Sequence, residues 1–206
     1  MTAGIESGYA TGQWLVPQAG APWWFDSGSL ALDFAYTGDG PHSGGAQWLT
    51  IDDPVGLAGW LAQRFSTPDQ ALDEGEFHDA LTLRDAIARL ARTAADGGAL
   101  AANDIDIINL FAAMPDLPPV LAGGSKQAGR STPHVRQALG TLARDAVHLF
   151  GPYENGRIRE CSAQDCHCVY LDTSRSGNRR WCSMQRCGNR AKVRAHRDRV
   201  AQALPH

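Results

Sequence analysis

Cysteine is absent from the first 160 residues, and no apolar run approaches the roughly 18 residues of a transmembrane helix. The N-terminus also lacks the basic region and the long apolar stretch of a secretory signal. We therefore expect a soluble cytoplasmic protein without a membrane segment. A disulfide framework spread along a small secreted chain is also disfavoured.

Basic residues are scarce in residues 1–156, where 8 of them face 18 acidic residues. From Arg157 to Arg199 the balance reverses, with 11 basic against 4 acidic residues. The net charge of -3 for all 206 residues conceals this asymmetry. A basic tail on an acidic body indicates a polyanionic partner for the tail.

Familiar catalytic signatures are also missing. The chain has no glycine-rich nucleotide-binding loop, no G-x-S-x-G motif and no H-E-x-x-H motif. The histidines before residue 157 are scattered without metal-ligand spacing. The sequence therefore favours a protein that is not an enzyme.

Hydrophobic residues make up 43% of the chain, which is enough to form a core. The length of 206 residues predicts one ordinary domain with a small appendage. We expect a mostly α N-terminal domain with a small β-hairpin (an α+β fold), followed by a treble-clef-like zinc module. Aromatic and apolar runs around Asp26–Ser29 predict that hairpin, from Trp23–Phe25 and Leu30–Tyr36. The predicted organisation is a flexible arm over 1–21, the main domain over 22–152, a linker over 153–156 and the zinc module over 157–203.

Four helices are predicted in the main domain from capping residues and apolar periodicity. Their expected bounds are a start at Pro54 after Asp52 or Asp53; Glu74 to Ala95, stopping at Gly97-Gly98; Asn103 or Asp104 to Pro115; and Thr132-Pro133 to Gly151-Pro152. A short strand over 119–122 and a loop over 123–132 are expected between the last two helices.

Three polar residues stand inside otherwise apolar patterns of this domain: Asp33, Arg84 and Asn109. Buried polar groups need partners, so the three form either an internal network or a pocket for a small-molecule effector. We expect the six tryptophans to pack in the core, to line an aromatic pocket or to form a homodimer interface.

Two cysteine pairs lie close to the C-terminus, Cys161 with Cys166 and Cys182 with Cys187. Each pair encloses four residues, and two such turns can supply the four thiolates of a tetrahedral zinc site. Val169–Leu171 and Arg179–Trp181 read as strands between the pairs. A module of about fifty residues buries little core, so a metal would supply stability that packing cannot.

Other interpretations of the cysteines stay open at this point. Two disulfides or an iron–sulfur cluster also use four cysteines. Cys168 could replace Cys166 as a ligand, although a small buried side chain or a free thiol suits it better. His167 is a further conceivable ligand.

The last helix, from Asn189 onward, is basic. Val193, His196 and Val200 form a narrow stripe that we expect to pack on the zinc hairpin. Arginine presents a fork of donors that suits phosphate and guanine edges, so the basic residues of the helix and hairpin are candidate nucleic-acid contacts. They are Arg175, Arg179, Arg180, Arg190, Lys192, Arg194 and Arg197. Alternatively, these basic residues form only a solvent-exposed surface and bind no nucleic acid.

The segment Cys187-Gly188-Asn189-Arg190, after Trp181-Cys182-Ser183-Met184, resembles the CGNR zinc-finger family. The N-terminal region is similar to the ABATE domain of stress-induced transcription regulators. That likeness rests on Leu32-Asp33-Phe34, Leu83-Arg84-Asp85-Ala86, Asn109 and Ala143-Arg144-Asp145-Ala146, whereas Tyr36 stands where the family usually has asparagine. The resemblance implies Zn²⁺ on Cys161, Cys166, Cys182 and Cys187, and a role in transcription.

The leading hypothesis is therefore a DNA-binding transcriptional regulator whose N-terminal domain senses a small ligand or forms a homodimer. A second hypothesis is an enzyme or small-molecule-binding protein in which the zinc module is only structural. A third is an adaptor for RNA or protein, because treble clefs serve those purposes as well.

Overall fold

The computed structural model describes residues 9–18, 20–42, 48–65, 72–116, 134–152 and 154–203. It contains two small antiparallel sheets and six α-helices in that part of the chain. The elements are β1 (Gln13–Leu15), β2 (Trp23–Phe25), α1 (Leu30–Ala35), α2 (Pro54–Ala62), α3 (Glu74–Ala95), α4 (Ala102–Ala112), α5 (Val135–Phe150), β3 (Ile158–Glu160), β4 (Val169–Leu171) and α6 (Asn189–Ala203).

The N-terminal hairpin differs from the predicted one. β2 pairs with β1, so that part of the expected flexible arm is a strand, and Leu30–Ala35 is a helix. Ser29 caps this helix by accepting a hydrogen bond from the Leu32 amide, and every residue of α1 is buried. A continuous apolar run does not distinguish a buried strand from a buried helix, which is why the prediction was wrong.

Helices α2 and α3 confirm their predicted starts. Asp53 caps α2 with Pro54 in its first turn, and α3 runs from Glu74 to Ala95 behind a capping box of Asp73 and Glu76. Short polar side chains satisfy the free amides of a first turn, so such starts can be recognised from local sequence.

Helix α4 begins slightly before the predicted residues. Ala101 is at its N-cap and makes no side-chain cap. The Asp104 carboxylate is instead paired with Arg89 at 2.7 Å.

Helix α5 ends at Gly151 as predicted. The predicted cap Thr132 and Pro133, the strand over 119–122 and the loop over 123–132 lie outside the described residues.

Helices α1, α3, α4 and α5 pack around one hydrophobic core. Three residues of the C-terminal strands, Ile158, Val169 and Leu171, are buried in the same core. Arg92 on α3 also donates to Glu160 on β3 at 2.6 Å. The cysteine-containing segment therefore packs directly on the helical domain, and their relative orientation is fixed by buried contacts.

The predicted fold class is confirmed: a mainly helical α+β domain is followed by a small cysteine-rich module. None of the helices in the described ranges has the length and apolar character to cross a bilayer.

A four-cysteine candidate metal centre and its basic helix

Four cysteine sulfurs converge beside the β3–β4 sheet. The Sγ atoms of Cys161, Cys166, Cys182 and Cys187 all lie within 4.8 Å of one another, and all four residues are buried. Sulfurs at the corners of a tetrahedron with zinc–sulfur bonds of about 2.3 Å lie roughly 3.8 Å apart. The Cys166–Cys182 and Cys182–Cys187 sulfur distances are 3.4 and 3.5 Å. This donor set fits a single thiophilic ion.

The alternatives left open by the sequence fit less well. All five cysteines are free, and the two short sulfur distances far exceed the roughly 2.05 Å of a disulfide. Sulfurs this close leave no room among them for the several irons of a cluster. His167 is turned to Glu160, with its Nδ1 2.7 Å from the carboxylate. Cys168 is buried outside the four-sulfur group.

Local turns position the two pairs. Cys161 follows β3, and its amide donates to the Cys168 carbonyl at 2.8 Å, which closes the first turn. Ser183 opens the second turn, since its carbonyl accepts from the amides of both Cys187 and Gly188. A Cβ on Gly188 would lie 2.8 Å from Met184 Sδ. The backbone at the glycine of the CGNR segment thus packs closely on Met184, whose flexible, exposed side chain would have to shift to admit a Cβ.

The centre attracts positive charge. Four thiolates around a divalent ion leave two excess negative charges, and the Arg190 guanidinium donates to Cys187 Sγ at 3.3 Å. Arg190 also pairs with Asp165 at 2.9 Å. Hydrogen bonding from Cys161, with a contribution from Arg190, lowers the pKa of the Cys187 thiol. A lowered pKa favours the thiolate that binds metal.

Tyr36 joins the helical domain to this module. Its buried hydroxyl donates to the Val169 carbonyl at 2.9 Å and accepts from the Val169 amide at 2.7 Å. Both backbone groups at the start of β4 are therefore satisfied by one side chain that is 133 residues away in sequence. Sequence reasoning missed this residue, although a tyrosine in an apolar run is a signal of a buried hydroxyl that needs a partner.

We predict that Tyr36→Phe destabilises the protein by roughly 2–4 kcal/mol, because two buried backbone groups lose their partner. Thermal and urea unfolding of the metal-loaded protein would measure the effect. Tyr9→Phe, which removes a hydroxyl from a half-buried ring, is the control and should change stability by less than about 0.5 kcal/mol. Equal effects of the two changes would contradict the joining role of Tyr36.

Backbone contacts also fix the module next to the N-terminal hairpin. The Leu171 amide donates to the Ser27 carbonyl at 2.8 Å. Arg179 donates to the Asp26 carbonyl at 2.9 Å and lies 4.2 Å above the Tyr170 ring. Arg179, predicted to contact nucleic acid, therefore has a structural role. The other predicted hairpin residues, Arg175 and Arg180, are exposed.

Helix α6 does not pack as predicted. Val193 and Val200, expected on a buried stripe, are 49% and 48% exposed, and His196 is exposed too. Since charged residues surround a narrow apolar stripe, burial of that stripe would have removed several charges from water. Helix α6 projects from the centre instead, with Lys192, Arg194 and Arg197 exposed.

Two family models match the chain. The CGNR zinc finger matches residues 157–200. The ABATE model, described as "Putative stress-induced transcription regulator", matches residues 28–152. The chain belongs to the ABATE family. The resemblance stated from the sequence is thus confirmed for both parts, in the same order, and no curated protein matched the chain.

Within the ABATE domain, the three candidate pocket residues are separate. Asp33 is fully buried, with its carboxylate 2.6 Å from both Ser27 Oγ and the Gly12 amide. Arg84 donates to the Ile51 carbonyl at 2.9 Å, whereas Asn109 is exposed on α4. In the described ranges no hydrogen bond joins the three. Asp33 instead belongs to an internal polar network.

A further polar contact organises the ABATE domain. The Asp145 carboxylate accepts from Ser29 Oγ at 2.7 Å and from the Ala31 amide at 2.8 Å. Asp145, which lies on α5, therefore accepts hydrogen bonds from donors at the start of α1 that lack a partner within the helix. Asp145 lies in a segment that carried the family likeness, but its partner 116 residues away was not visible in the sequence.

Burial raises the pKa of Asp33 to about 6, although hydrogen bonds from Ser27 and Gly12 oppose the shift. Since this exceeds the unfolded value of about 3.9, the native state retains a proton that the unfolded state releases. The stabilisation is complete below about pH 4 and is lost as pH rises through 6. Relative to Asp33→Asn, the free energy of unfolding should fall by roughly 1 kcal/mol between pH 5 and 7.5 in urea titrations. Parallel profiles for the two proteins would contradict this assignment.

Proposed function

We propose that this ABATE-family protein is a transcription regulator that binds DNA through α6, with Zn²⁺ on the four cysteines. The observation that carries the proposal is the placement of α6. It begins directly at the centre, after the turn containing Cys187, and its side chains over 192–200 are exposed. A helix that is exposed on all sides gains little from packing on its own domain, so this placement favours an external partner.

The charges on α6 suit a groove with phosphates on both walls. Arg190, Arg194 and Arg197 recur at i, i+4 and i+7, so they share one side. Lys192 and Arg199 are about half a turn away on the opposite side. The major groove of B-DNA, about 12 Å wide, admits one α-helix, and basic residues on both sides can then reach both backbones.

Not every arginine of the module is available to this partner. Arg190 and Arg179 are engaged with the centre and the N-terminal hairpin. Arg194 contacts only the neutral Gln164 at 3.0 Å in the described ranges, and Arg197 is exposed. We therefore assign DNA contact mainly to Lys192, Arg194 and Arg197, with Arg175 and Arg180 of the hairpin as secondary contacts.

The acidic ABATE domain supports the same orientation. Because buried contacts fix it against the module, its net negative surface cannot rotate into the DNA path, and DNA should approach from the α6 side. Ligand sensing and homodimer formation by this domain remain proposals.

The test is the binding of the full metal-loaded chain to a random-sequence duplex of about 30 base pairs, followed by fluorescence anisotropy across a salt series. Contact with about three to five phosphates predicts a log–log slope of about -2.7 to -4.5. Absence of binding at low salt, or an affinity that does not change with salt, would contradict the proposal.

A further inference from the structure

A cavity of about 670 Å³ lies between the β1–β2 hairpin and α2. Its walls include Trp14, Trp24 and Trp60, together with Arg64 and the backbone of Gly12. This volume is within the range of small-molecule sites, which combine apolar walls with a few placed polar groups. The cavity is separate from the cysteine centre and from the exposed faces of α6.

Trp60 belongs to the hydrophobic core, but the indoles of Trp14 and Trp24 form an aromatic wall that the core does not account for. Trp60 is 6% exposed, but Trp14 and Trp24 are 63% and 46% exposed. Their rings meet edge to face with centroids 5.8 Å apart. Large exposed aromatic side chains that pack on one another beside a cavity are typical of a binding surface rather than of core packing.

Gly12 holds this wall in place. It has φ of +98°, and a Cβ at this position would lie 2.5 Å from the Trp24 ring. Its amide donates to Asp33 at 2.6 Å and its carbonyl accepts from Arg64 at 3.2 Å. The Gly12 backbone thus links the aromatic wall, the buried carboxylate and the arginine, so the site is organised before a ligand arrives.

Arg64 supplies the polar group. Its guanidinium lies 3.9 Å above the Trp60 ring, and its hydrogen bonds within the described part of the chain reach only neutral oxygens at 3.2–3.5 Å. Its Nε is buried without a hydrogen-bond partner. In the described ranges no carboxylate forms an ion pair with it, and the oxygens of Asp33 are held by Ser27 and Gly12. Asp33 interacts electrostatically with this guanidinium but only at longer range. A partly buried arginine with no carboxylate in direct contact is a recognition group for an anion.

We propose that this cavity binds a small organic carboxylate with a flat aromatic body. The carboxylate pairs with Arg64, and the aromatic body packs against the indoles of Trp14 and Trp24. Offset or edge contacts between rings add to the burial of apolar area. This inference goes beyond DNA binding and does not depend on it.

The experiment is isothermal titration calorimetry of the full metal-loaded chain with 2-naphthoate, and with 2-naphthamide as the uncharged isostere. We expect saturable binding of 2-naphthoate. The affinity for 2-naphthamide should be lower by roughly tenfold or more, since a charge-assisted bidentate contact is lost. Arg64→Gln should weaken binding of 2-naphthoate by roughly tenfold or more, and Trp14→Ala by several fold. Val55→Ala changes an exposed residue of α2 outside the cavity wall and should leave the affinity within about twofold.

Arg64→Lys keeps the charge and most of the stem, so it covers the case in which Arg64→Gln does not fold. It should still weaken binding, because a lysine lacks the planar fork. Equal affinity for the amide would overturn the assignment of Arg64 as the anion-binding group. Absence of carboxylate binding up to about 5 mM, a limit close to the weakest useful affinities, would overturn the site. A single-stranded oligothymidylate that binds and displaces 2-naphthoate would identify a nucleic-acid surface instead.

Discussion

Cys161→Ser is expected to release the bound ion from the protein and to unfold the C-terminal module. The Cys161 sulfur is one of four within 4.8 Å of one another, and its neighbour Glu160 ends β3. A serine hydroxyl is a poor ligand for a thiophilic ion, and the binding free energy of such a site is also folding free energy. We expect metal analysis to fall from one zinc per chain to near zero, and the thermal midpoint to fall by roughly 10 °C or more.

Cys168→Ser is the matched control for this change. Cys168 is in the same turn and is buried, but its sulfur is outside the four-sulfur group. It should retain a full equivalent of zinc, with a modest loss of stability from placing a hydroxyl in an apolar position. Full metal content in Cys161→Ser together with loss in Cys168→Ser would show that the ligand set is wrong.

The double substitution of Arg194 and Arg197 by glutamine is expected to reduce DNA affinity on the order of tenfold to a hundredfold at low salt. Both side chains are exposed on the same side of α6, so the fold and the metal content should not change. Each lost phosphate contact should also reduce the magnitude of the salt slope by about 0.9. Fluorescence anisotropy over a salt series measures both quantities.

Arg136→Gln is the control for total charge. Arg136 is exposed on α5 in the ABATE domain, remote in sequence from the module. It should change affinity by less than about twofold, because Arg136 lies on a different helix from the proposed DNA contacts and charges more than about 10 Å apart are largely screened. If the Arg136 and α6 variants weakened binding equally, net charge rather than α6 would determine the affinity.

Local features made the cysteine set and several helix bounds predictable. The paired spacing selected Cys161, Cys166, Cys182 and Cys187, and the structure gathers these same four sulfurs. The end of α3 was predicted from Gly97-Gly98, and the structure shows an acidic cap, Asp73, before its start at Glu74. Such signals depend on residues a few positions apart, which a single sequence displays directly.

Contacts between distant segments explain what the sequence did not reveal. The helix over Leu30–Ala35 depends on burial from all sides, and Asp145 caps it from α5. The hydrogen bond between Tyr36 and Val169 joins residues that are 133 positions apart in sequence. The predicted stripe on α6 was wrong because periodicity identifies a face of a helix but does not identify what covers that face.

These long-range contacts change the picture of the C-terminal module. A finger joined by a free linker would sample many orientations, whereas here Tyr36, Arg92 and Arg179 connect it to the ABATE domain. Loss of metal would therefore disturb strands that share the core of the helical domain. The orientation of α6, and with it DNA binding, should depend on the metal.

The most direct test of this account follows DNA binding by the full chain as the metal is removed and returned. Chelation of the ion under reducing conditions should abolish salt-sensitive binding to the duplex. Stoichiometric Zn²⁺ should restore it, with the titration ending at one ion per chain. Metal-free protein that binds DNA with unchanged affinity would contradict the claim that a metal-built module presents α6 to DNA.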